Sequence, residues 1–344
     1  MIEIVRPEPG DKTWDRFVEQ HPDATIAHLS AWSAIVHDAY GHQSLSLAAV
    51  DDGDIVGVLP LVLMKSRLFG RRLVSMPFLD YGGVLAEHGS AAERALADAA
   101  LALAREHGVA SIGLRQRGVT GLDVTPTDDR VTMLMPLASE EAVWKALPSE
   151  RRNRVRKGHK NALVAIWGGS ELLDDFYRVW SVNMRDLGSP AHSRAFFARM
   201  LEELGGSARV LLVRDSAHRT VGAAMCLLFR DAILVPWVSS LREAFALCPN
   251  FVLYWEAIAF GCREGYRMFD FGRSFRDRGT YEFKRQWGAV ADPLPWVFLD
   301  VVAGAPPAVD RDASSWGRLV EAWKRLPVPV ANFVGPWIRG QVPN

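Results

Sequence analysis

The sequence predicts a mixed α/β protein, with mixed sheets of the α+β kind, built from two tandem copies of one unit. Two segments carry this prediction, LSLAAVDDGDIVGVLPLVLM at 45–64 and ARVLLVRDSAHRTVGAAMCLLF at 208–229. Each contains a strand, a polar turn, Val-Gly and a longer strand, and each is followed by a strand, a loop, a helix ended by glycine and a further strand. A repeated supersecondary pattern indicates duplicated units. With 344 residues, the chain is also longer than one ordinary core requires.

The elements of the first copy follow from local signals. Ser30 is a suitable N-cap for a helix, and the Asp-Gly turn at 51–54 between two apolar runs predicts a hairpin. Gly108 after an Ala- and Leu-rich stretch predicts a helix end. The predicted helices are 13–19, 30–40 and 90–107, and the predicted strands are 45–50, 55–64, 72–77 and 111–115, with a tight loop at 80–83.

The second copy repeats that order after a helical region. The predicted strands are 209–214, 221–229, 232–239 and 267–271, and a helix at 251–264 ends at Gly265. Helices are also predicted at 139–162, 170–187 and 193–204. A Pro/Ala/Gly linker at 303–308 precedes a predicted helix at 315–326.

Composition limits the classes of partner. Forty Lys and Arg residues balance forty Asp and Glu residues, so the whole chain has no net attraction for nucleic acid, and no DNA partner is expected. Cys226, Cys248 and Cys262 lack metal-ligand spacing, which predicts buried thiols in a reducing compartment and no metal site. The N-terminus lacks a secretory leader, and the longest apolar runs fall short of the ~20 residues that span a bilayer. We therefore expect a cytoplasmic protein.

Two motifs contain most of the candidate site. FDFGRS at 269–274 ends a predicted strand, and GTYEFKRQWG at 279–288 follows a basic loop with Arg276, Asp277 and Arg278. A strand that ends in glycine and a cation is a common position for a binding cleft in α/β folds. The candidate catalytic residues are Lys284 and Asp270. The candidate substrate-binding residues in these motifs are Arg273, Ser274, Arg276, Tyr281, Phe283 and Trp287.

These residue types suit acyl transfer to an amine. The reaction requires an oriented nucleophile, removal of its proton and stabilisation of an oxyanion. Lys284 is suited to stabilise the oxyanion, and Asp270 or Glu282 to orient or deprotonate the amine. Arg273 is suited to hold a phosphate or carboxylate through its fork. The structural alternatives are an Asp270–Arg273 ion pair, an exposed Lys284, and a core role for Tyr281, Phe283 and Trp287.

A basic run lies between the two copies. It contains Arg151, Arg152, Arg154, Arg156, Lys157 and Lys160, with no acidic residue after Glu150. On a helix, Arg152 and Arg156 share one face, and both are predicted to bind substrate phosphates of a nucleotide-linked sugar, a lipid carrier or a tRNA. The structural alternative is a solvated helix face.

The repeat and the two motifs resemble a known family. The paired units resemble tandem GNAT-type domains. FDFGRS and GTYEFKRQWGA resemble the FemAB family, in particular the FemAB-related proteins associated with exosortase (PEP-CTERM) and exopolysaccharide systems. We accordingly predict GNAT-like domains at 1–137 and 138–300, followed by a linker and an amphipathic helical tail at 301–344.

The resemblance implies an acyltransferase of the aminoacyltransferase or peptidyltransferase type. FemAB proteins take an aminoacyl group from aminoacyl-tRNA and place it on an amine of a peptidoglycan precursor. In that family a lysine after Phe, beyond the last GNAT-like strand, is associated with catalysis, and Lys284 matches it. The implied partners are an anionic cell-envelope precursor, of peptidoglycan or exopolysaccharide and linked to a nucleotide or a lipid, and aminoacyl-tRNA as donor.

The chain also departs from its relatives. GNAT enzymes that use acyl-CoA hold pyrophosphate on an Arg/Gln-x-x-Gly-x-Gly/Ala loop, but residues 241–250 contain no glycine. We therefore predict no cofactor and favour aminoacyl-tRNA over acyl-CoA, although the inserted coiled-coil arm of some FemAB proteins is missing. Two alternatives stay open. They are N-acyl transfer from acyl-CoA or acyl carrier protein, and a non-catalytic binding subunit of an exopolysaccharide or PEP-CTERM system.

The C-terminal tail combines tryptophan with cationic residues. Trp316, Trp323 and Trp337 occur among Lys324, Arg325 and Arg339. This composition is compatible with peripheral contact at the inner face of a membrane. It favours packing of the tail on the preceding domain over that contact.

Overall fold

The structure is a computed structural model that describes residues 1–8, 10–66, 70–118, 120–122, 126–127, 129–276, 278–301 and 317–342. Its strands are β1 Glu3–Val5, β2 Gln43–Ser44, β3 Leu47–Asp51, β4 Asp54–Leu59, β5 Val62–Ser66, β6 Gly70–Val74, β7 Leu85–Ala86, β8 Ser111–Leu114, β9 Arg130–Pro136, β10 Val164–Gly168, β11 Ala208–Arg214, β12 Thr220–Phe229, β13 Ala232–Ser240, β14 Met268–Phe275, β15 Val290–Pro293 and β16 Val297–Asp300. Its α-helices are α1 Lys12–Gln20, α2 Ala31–Tyr40, α3 Ala91–Glu106, α4 Glu140–Ala146, α5 Ser149–Lys160, α6 Leu173–Leu187, α7 Arg194–Leu204, α8 Pro249–Arg263, α9 Gly279–Arg285, α10 Gly317–Lys324 and α11 Val328–Gln341.

The chain folds as two compact units. The described part of the first contains residues 1–130, 293–301 and 337–342, and that of the second contains residues 131–292 and 317–336. Both units have the predicted mixture of helices and mixed sheets, so the predicted α/β class is confirmed. The domain boundaries after residues 137 and 300 stay a prediction, and the predicted linker at 303–308 lies outside the described residues.

The first unit is built on two sheets. Their strand orders are β1-β3-β4-β7 and β16-β8-β6-β5-β2. The last two strands of the repeated pattern, β6 and β8, are parallel, with Leu73 opposite Ile112. Helix α3 connects them, and its Leu96 and Ala100 are buried in a core shared with both sheets. The predicted hairpin of β3 and β4 is confirmed, and its Asp52 and Gly53 both have the positive φ that a tight hairpin turn requires.

One predicted strand of this unit is wrong. Residues 55–64 were expected to form a single strand, but they divide into β4 and β5, which belong to different sheets. Pro60 lies at the break. Because proline has no N–H to donate to a ladder, it ends pairing on one sheet and lets the chain enter the next.

The second unit is built on one large mixed sheet. Its strand order is β10-β11-β12-β13-β14-β9-β15. The predicted β11–β12–β13 meander is antiparallel, and β13 pairs with β14 in parallel from Ala232–Met268 to Leu234–Asp270. Helix α8 joins these two strands, and its Val252, Leu253 and Ile258 are buried in the core. Strand β14 extends to Phe275, four residues beyond its predicted end at residue 271.

Proline also divides the predicted helix at 139–162. The region forms α4 and α5 with Leu147 and Pro148 between them, since proline prevents the preceding residue from adopting helical backbone angles. Helix α11 was not predicted because Pro329 and Pro336 lie inside it. Strands β1, β2, β7, β9, β10, β15 and β16 were also not predicted from the sequence.

His28 is buried in the first unit. Its Nδ1 accepts a hydrogen bond from the Thr25 N–H at 3.1 Å, and its carbonyl accepts one from Trp14 Nε1 at 2.7 Å. Burial disfavours the charged ring and lowers the pKa of His28 to about 4, although a hydrogen bond to the Gly83 backbone opposes the shift. The folded protein therefore holds this ring neutral.

The buried ring predicts a pH dependence of stability. Between pH 6.5 and pH 4 the unfolded chain binds a proton at His28 that the folded chain does not bind, so stability rises with pH across this window and is lost as the pH falls. The expected contribution is about 3 kcal/mol. Urea unfolding from pH 4 to pH 7 should show a shallower dependence for His28→Gln, which keeps an acceptor for Thr25. Parallel curves for the two proteins would contradict this assignment.

Candidate functional site

Strand β14 is irregular at the motif FDFGRS. Gly272 has φ 73°, in the left-handed region that glycine adopts without strain. The Oδ1 of Asp270 accepts hydrogen bonds from the Gly272 N–H at 2.8 Å and from Thr132 Oγ1, on the neighbouring β9, at 2.7 Å. Both donors favour the ionised carboxylate in a buried position. Asp270 therefore stabilises the local backbone turn inside the strand.

Lys284 binds the main chain of that irregular segment. Its Nζ donates to the carbonyl oxygens of Gly272 at 3.0 Å and Arg273 at 2.8 Å. In a regular strand successive carbonyls point in opposite directions, so the left-handed Gly272 is what lets two neighbouring carbonyls reach one ammonium. The side chain is only 8% exposed. The alternative of an exposed lysine is wrong, and Lys284 instead fixes helix α9 to β14.

The remaining predicted residues of β14 lie in different environments. Arg273 is half-buried, and its guanidinium carbon lies 5.7 Å from the centre of the Phe275 ring. Ser274 is buried, and its Oγ has no hydrogen-bond partner within the described ranges of the chain. Arg276 is exposed, whereas Asp277 lies outside the described residues. The structure thus links Asp270 and Lys284 through the Gly272 backbone, and Lys284 also binds the main-chain carbonyl of Arg273. The roles of these residues toward a substrate stay a prediction.

The aromatic residues of the second motif belong to the core beside β14. Phe283 and Trp287 lie 5.4 and 5.9 Å from the Tyr254 ring, and Tyr254 lies 5.3 Å from Phe271. Trp287 is almost fully buried, and in the described part of the structure its Nε1 finds no acceptor. Tyr281 is half-buried against the same cluster. This arrangement favours the core alternative for Trp287, while contact of these rings with a substrate stays a prediction.

Glu282 is occupied by its neighbours on α9. Its carboxylate accepts both Arg285 Nε and Nη2 at 2.8 Å and Gln286 Nε2 at 3.0 Å. These hydrogen bonds hold the pKa of Glu282 below its ordinary value. A carboxylate of low pKa is a poor general base, so Glu282 is less suited than Asp270 to deprotonate an amine.

The predicted phosphate-binding residues of α5 have local partners. Arg152 is half-buried and donates to the carbonyls of Trp144 and Lys145, at the end of α4. Arg156 is exposed, with its guanidinium 5.5 Å from the Trp144 ring and a hydrogen bond to Asn153. Arg152 thus has a structural role at the end of α4, and the exposed Arg156 is the better placed of the two for a ligand.

Arg151 begins the basic run on α5, and its sequence predicts no specific role for it. It is buried, donates to the side-chain carbonyl of Gln286 just after α9, and lies over the rings of Phe251 and Phe283 at 5.2 and 5.7 Å. It shares the buried face of α5 with Val155 and Gly158, at i, i+4 and i+7. That spacing is visible in the sequence and could have distinguished Arg151 from its exposed neighbours.

The segment that replaces the acyl-CoA loop is also structured. Residues Arg242–Leu247 form a 3₁₀ helix, and Cys248 has a left-handed backbone before Pro249 begins α8. The N–H groups of Ala244, Cys248 and Phe251 donate to carbonyls within this segment. These main-chain donors are therefore already bound. Across the described residues, no group of three His, Cys, Asp or Glu side chains is positioned to hold a metal ion, and no described helix is long and apolar enough to cross a membrane.

The left-handed backbone of Gly272 predicts that any side chain at this position lowers the stability of the fold. Gly272→Ala forces a Cβ into that conformation and should lower the free energy of unfolding by about 1–2 kcal/mol. The matched control is Gly279→Ala, which lies in the first turn of α9 with open space around it and should be neutral or slightly stabilising. Urea unfolding measures both, and equal effects of the two substitutions would reject the proposed strain.

The buried ammonium predicts a second stability effect. Lys284→Met leaves the carbonyls of Gly272 and Arg273 without this donor, at an expected cost of about 1–3 kcal/mol for each carbonyl. Arg285→Met, at the next position, removes an exposed ion pair with Glu282 and should change stability little. Thermal and urea unfolding compare the two proteins. A Lys284→Met protein as stable as Arg285→Met would show that the two hydrogen bonds contribute nothing.

Comparisons with known proteins identify the fold. Residues 149–285 match the model of the acetyltransferase (GNAT) domain family. No curated protein sequence matches the chain. The structure of FemX is similar with a TM-score of 0.69 at 15% identity, over 87% of this chain and 97% of that one.

Two further solved structures extend this result. A tandem GNAT protein from the clavulanic acid biosynthesis pathway has a TM-score of 0.56 at 15% identity, over 91% of this chain and 100% of that one. The C-terminal domain of a putative lysylphosphatidylglycerol synthetase from Agrobacterium fabrum has a TM-score of 0.57 at 11% identity, over 90% and 94%. The predicted FemAB-like tandem GNAT fold is thus confirmed. The GNAT acetyltransferase domain in residues 149–285 agrees with the predicted acyltransferase class.

Proposed function

We propose that the chain transfers an aminoacyl or acyl group to an amine of a cell-envelope precursor, in the manner of FemAB proteins. The observation that carries the proposal is the buried Lys284 ammonium on the β14 carbonyls, inside the GNAT domain. A positive charge held rigidly in a poorly solvated position stabilises negative charge that develops nearby more strongly than a mobile surface cation does.

The proposed reaction forms a bond between the acceptor nitrogen and the carbonyl carbon of the donor. The bond from that carbon to the ester oxygen of the donor breaks, and the amine proton leaves with the released alkoxide as a hydroxyl. Lys284 lowers the energy of the oxyanion through its charge. Asp270 acts as a positioning residue, because its carboxylate binds Gly272 and Thr132 and holds β14 in the shape that Lys284 requires.

Aminoacyl-tRNA is the proposed donor. The 241–250 segment has no glycine, and its N–H groups at Ala244 and Cys248 are bound within the segment, which disfavours a pyrophosphate ligand there. A polyanion has a better surface on α5, where Arg154, Arg156, Lys157 and Lys160 are exposed. Arg151 on the same helix connects this surface to Gln286 beside α9.

The proposed acceptor is an anionic precursor of peptidoglycan or exopolysaccharide, carried by a nucleotide or a lipid, on the cytoplasmic side of the membrane. Arg273 and the exposed Arg276 are the proposed ligands for its anionic groups, and Tyr281 a contact for its apolar part. The similarity to a putative lysylphosphatidylglycerol synthetase supports an acceptor at the membrane. A PEP-CTERM or exopolysaccharide system is a narrower form of the same proposal.

One observation favours a second candidate. The matched family model is that of an acetyltransferase domain, which favours N-acyl transfer from acyl-CoA or acyl carrier protein. Under this reading the donor bond that breaks is a thioester. Specific binding of acetyl-CoA in calorimetry would support this candidate over tRNA.

The test is transfer of a labelled amino acid from charged tRNA to nucleotide- and lipid-linked precursors. The unmodified protein should label at least one of them, and Lys284→Met should reduce the rate about 100-fold. Lys284→Arg, which keeps the charge, should retain more activity than Lys284→Met, and the exposed Arg285→Met should resemble the unmodified protein.

The assay is run below the unfolding temperature of every variant, so that lost stability is not mistaken for lost chemistry. Turnover of Lys284→Met at the rate of Arg285→Met would reject the role of Lys284. Transfer from acetyl-CoA but not from charged tRNA would replace the aminoacyl proposal with the second candidate. Ligand affinity without transfer from either donor would indicate a binding subunit.

A further inference from the structure

Helix α11 exposes an apolar stripe. Val330, Phe333 and Trp337 follow one another at i, i+3 and i+7, which places them on one face of the helix. Phe333 is 86% exposed and Trp337 is 54% exposed. Large apolar side chains grouped on one exposed face mark an interaction surface more often than isolated ones do.

Over residues 328–336, the opposite face of α11 is packed within the second unit. Ala331 is buried, and Asn332 Nδ2 donates to Ser181 Oγ of α6 at 3.2 Å. A Cβ on Gly335 would lie 3.5 Å from the Trp323 ring of α10. The predicted packing of the tail on its domain is therefore present, but it uses only one side of the helix. The contacts of that side leave Val330 and Phe333 pointing away from the unit.

Helix α10 adds both apolar and cationic groups. Leu319 is 60% exposed, and Arg318 and Arg325 are exposed beside it in sequence. Over 317–342 the basic residues are Arg318, Lys324, Arg325 and Arg339, and the acidic residue is Glu321. Glu321 pairs with Lys324 at 2.6 Å. The two helices therefore carry more basic than acidic residues, in a chain whose overall charge is zero.

We propose that α10 and α11 dock the protein on a membrane surface rich in anionic phospholipid. Val330 and Phe333 insert at the level of the headgroups, Trp337 takes the interfacial position that indole rings favour, and Arg318 and Arg325 contact lipid phosphates. A second copy of the chain is a poorer occupant, because a two-fold contact would set the same cationic residues against each other. Docking would bring the protein to a lipid-linked acceptor in the membrane. Only this consequence of the docking rests on the proposed function.

The test measures co-sedimentation with vesicles made of equal parts of phosphatidylcholine and phosphatidylglycerol. The unmodified protein should bind these vesicles more tightly than vesicles of phosphatidylcholine alone, and added salt should weaken the difference. The double variant Val330→Ser/Phe333→Ser should bind about tenfold more weakly or less. Arg318→Glu/Arg325→Glu should lose the preference for phosphatidylglycerol.

Matched controls distinguish vesicle binding through this surface from nonspecific adsorption of the protein. Val164→Ser/Phe245→Ser removes the same two residue types at other exposed positions, and Arg209→Glu/Arg242→Glu makes the same change of net charge elsewhere. Both controls should bind vesicles like the unmodified protein. Circular dichroism and unfolding temperature show that all variants fold.

Three outcomes would overturn the docking proposal. The first is that the unmodified protein binds neither kind of vesicle. The second is that Val330→Ser/Phe333→Ser and its control bind vesicles equally. The third is that the unmodified protein does not bind vesicles but forms a concentration-dependent dimer, which Val330→Ser/Phe333→Ser does not form. Vesicle binding that depends on the stripe, in a protein that transfers nothing in the donor assays, would keep the docking and reject the transferase proposal. The two proposals therefore fail independently.

Discussion

The hydrogen bonds from the buried Lys284 ammonium to the carbonyl oxygens of Gly272 and Arg273 hold together the end of β14 and the helix α9 that follows. They depend on three features of the chain at once. Gly272 must adopt a left-handed backbone, Asp270 must bind the Gly272 N–H, and α9 must present its lysine toward the strand. Because a buried ammonium is costly without hydrogen-bond partners, each feature constrains the others.

A second cation also holds helix α9 at its C-terminal end. Arg151, in the first turn of α5, donates to Gln286 just after α9 and lies against Phe251 and Phe283. The cationic surface of α5 and the lysine of α9 are thus connected through one buried guanidinium.

The second unit has the GNAT fold without the pyrophosphate loop that acyl-CoA-dependent GNAT enzymes use. Its β13, α8 and β14 have the order of that fold, yet the connection before α8 is a 3₁₀ helix whose main-chain donors are already bound. Fold and donor are therefore separate questions in this protein. The fold supplies a parallel strand pair and a helix, and these elements alone do not determine the donor.

The sequence alone was sufficient for the features that depend on neighbouring residues. The Asp-Gly turn predicted the β3–β4 hairpin, Gly108 and Gly265 marked the ends of α3 and α8, and the repeated strand pattern predicted two units of mixed α/β fold. These predictions succeeded because turn, cap and periodicity signals act over a few residues.

Tertiary structure decided which groups meet across long stretches of chain. Only the fold shows that Lys284 binds β14 carbonyls, that Arg151 turns inward while Arg156 remains exposed, and that β16 pairs with β8 from the far end of the sequence. It also buried His28 and left Phe333 in solvent, against the expectation from residue type for each. The reason is that strand pairing and burial depend on distant partners, and a local pattern contains no record of which partner the folded chain brings close.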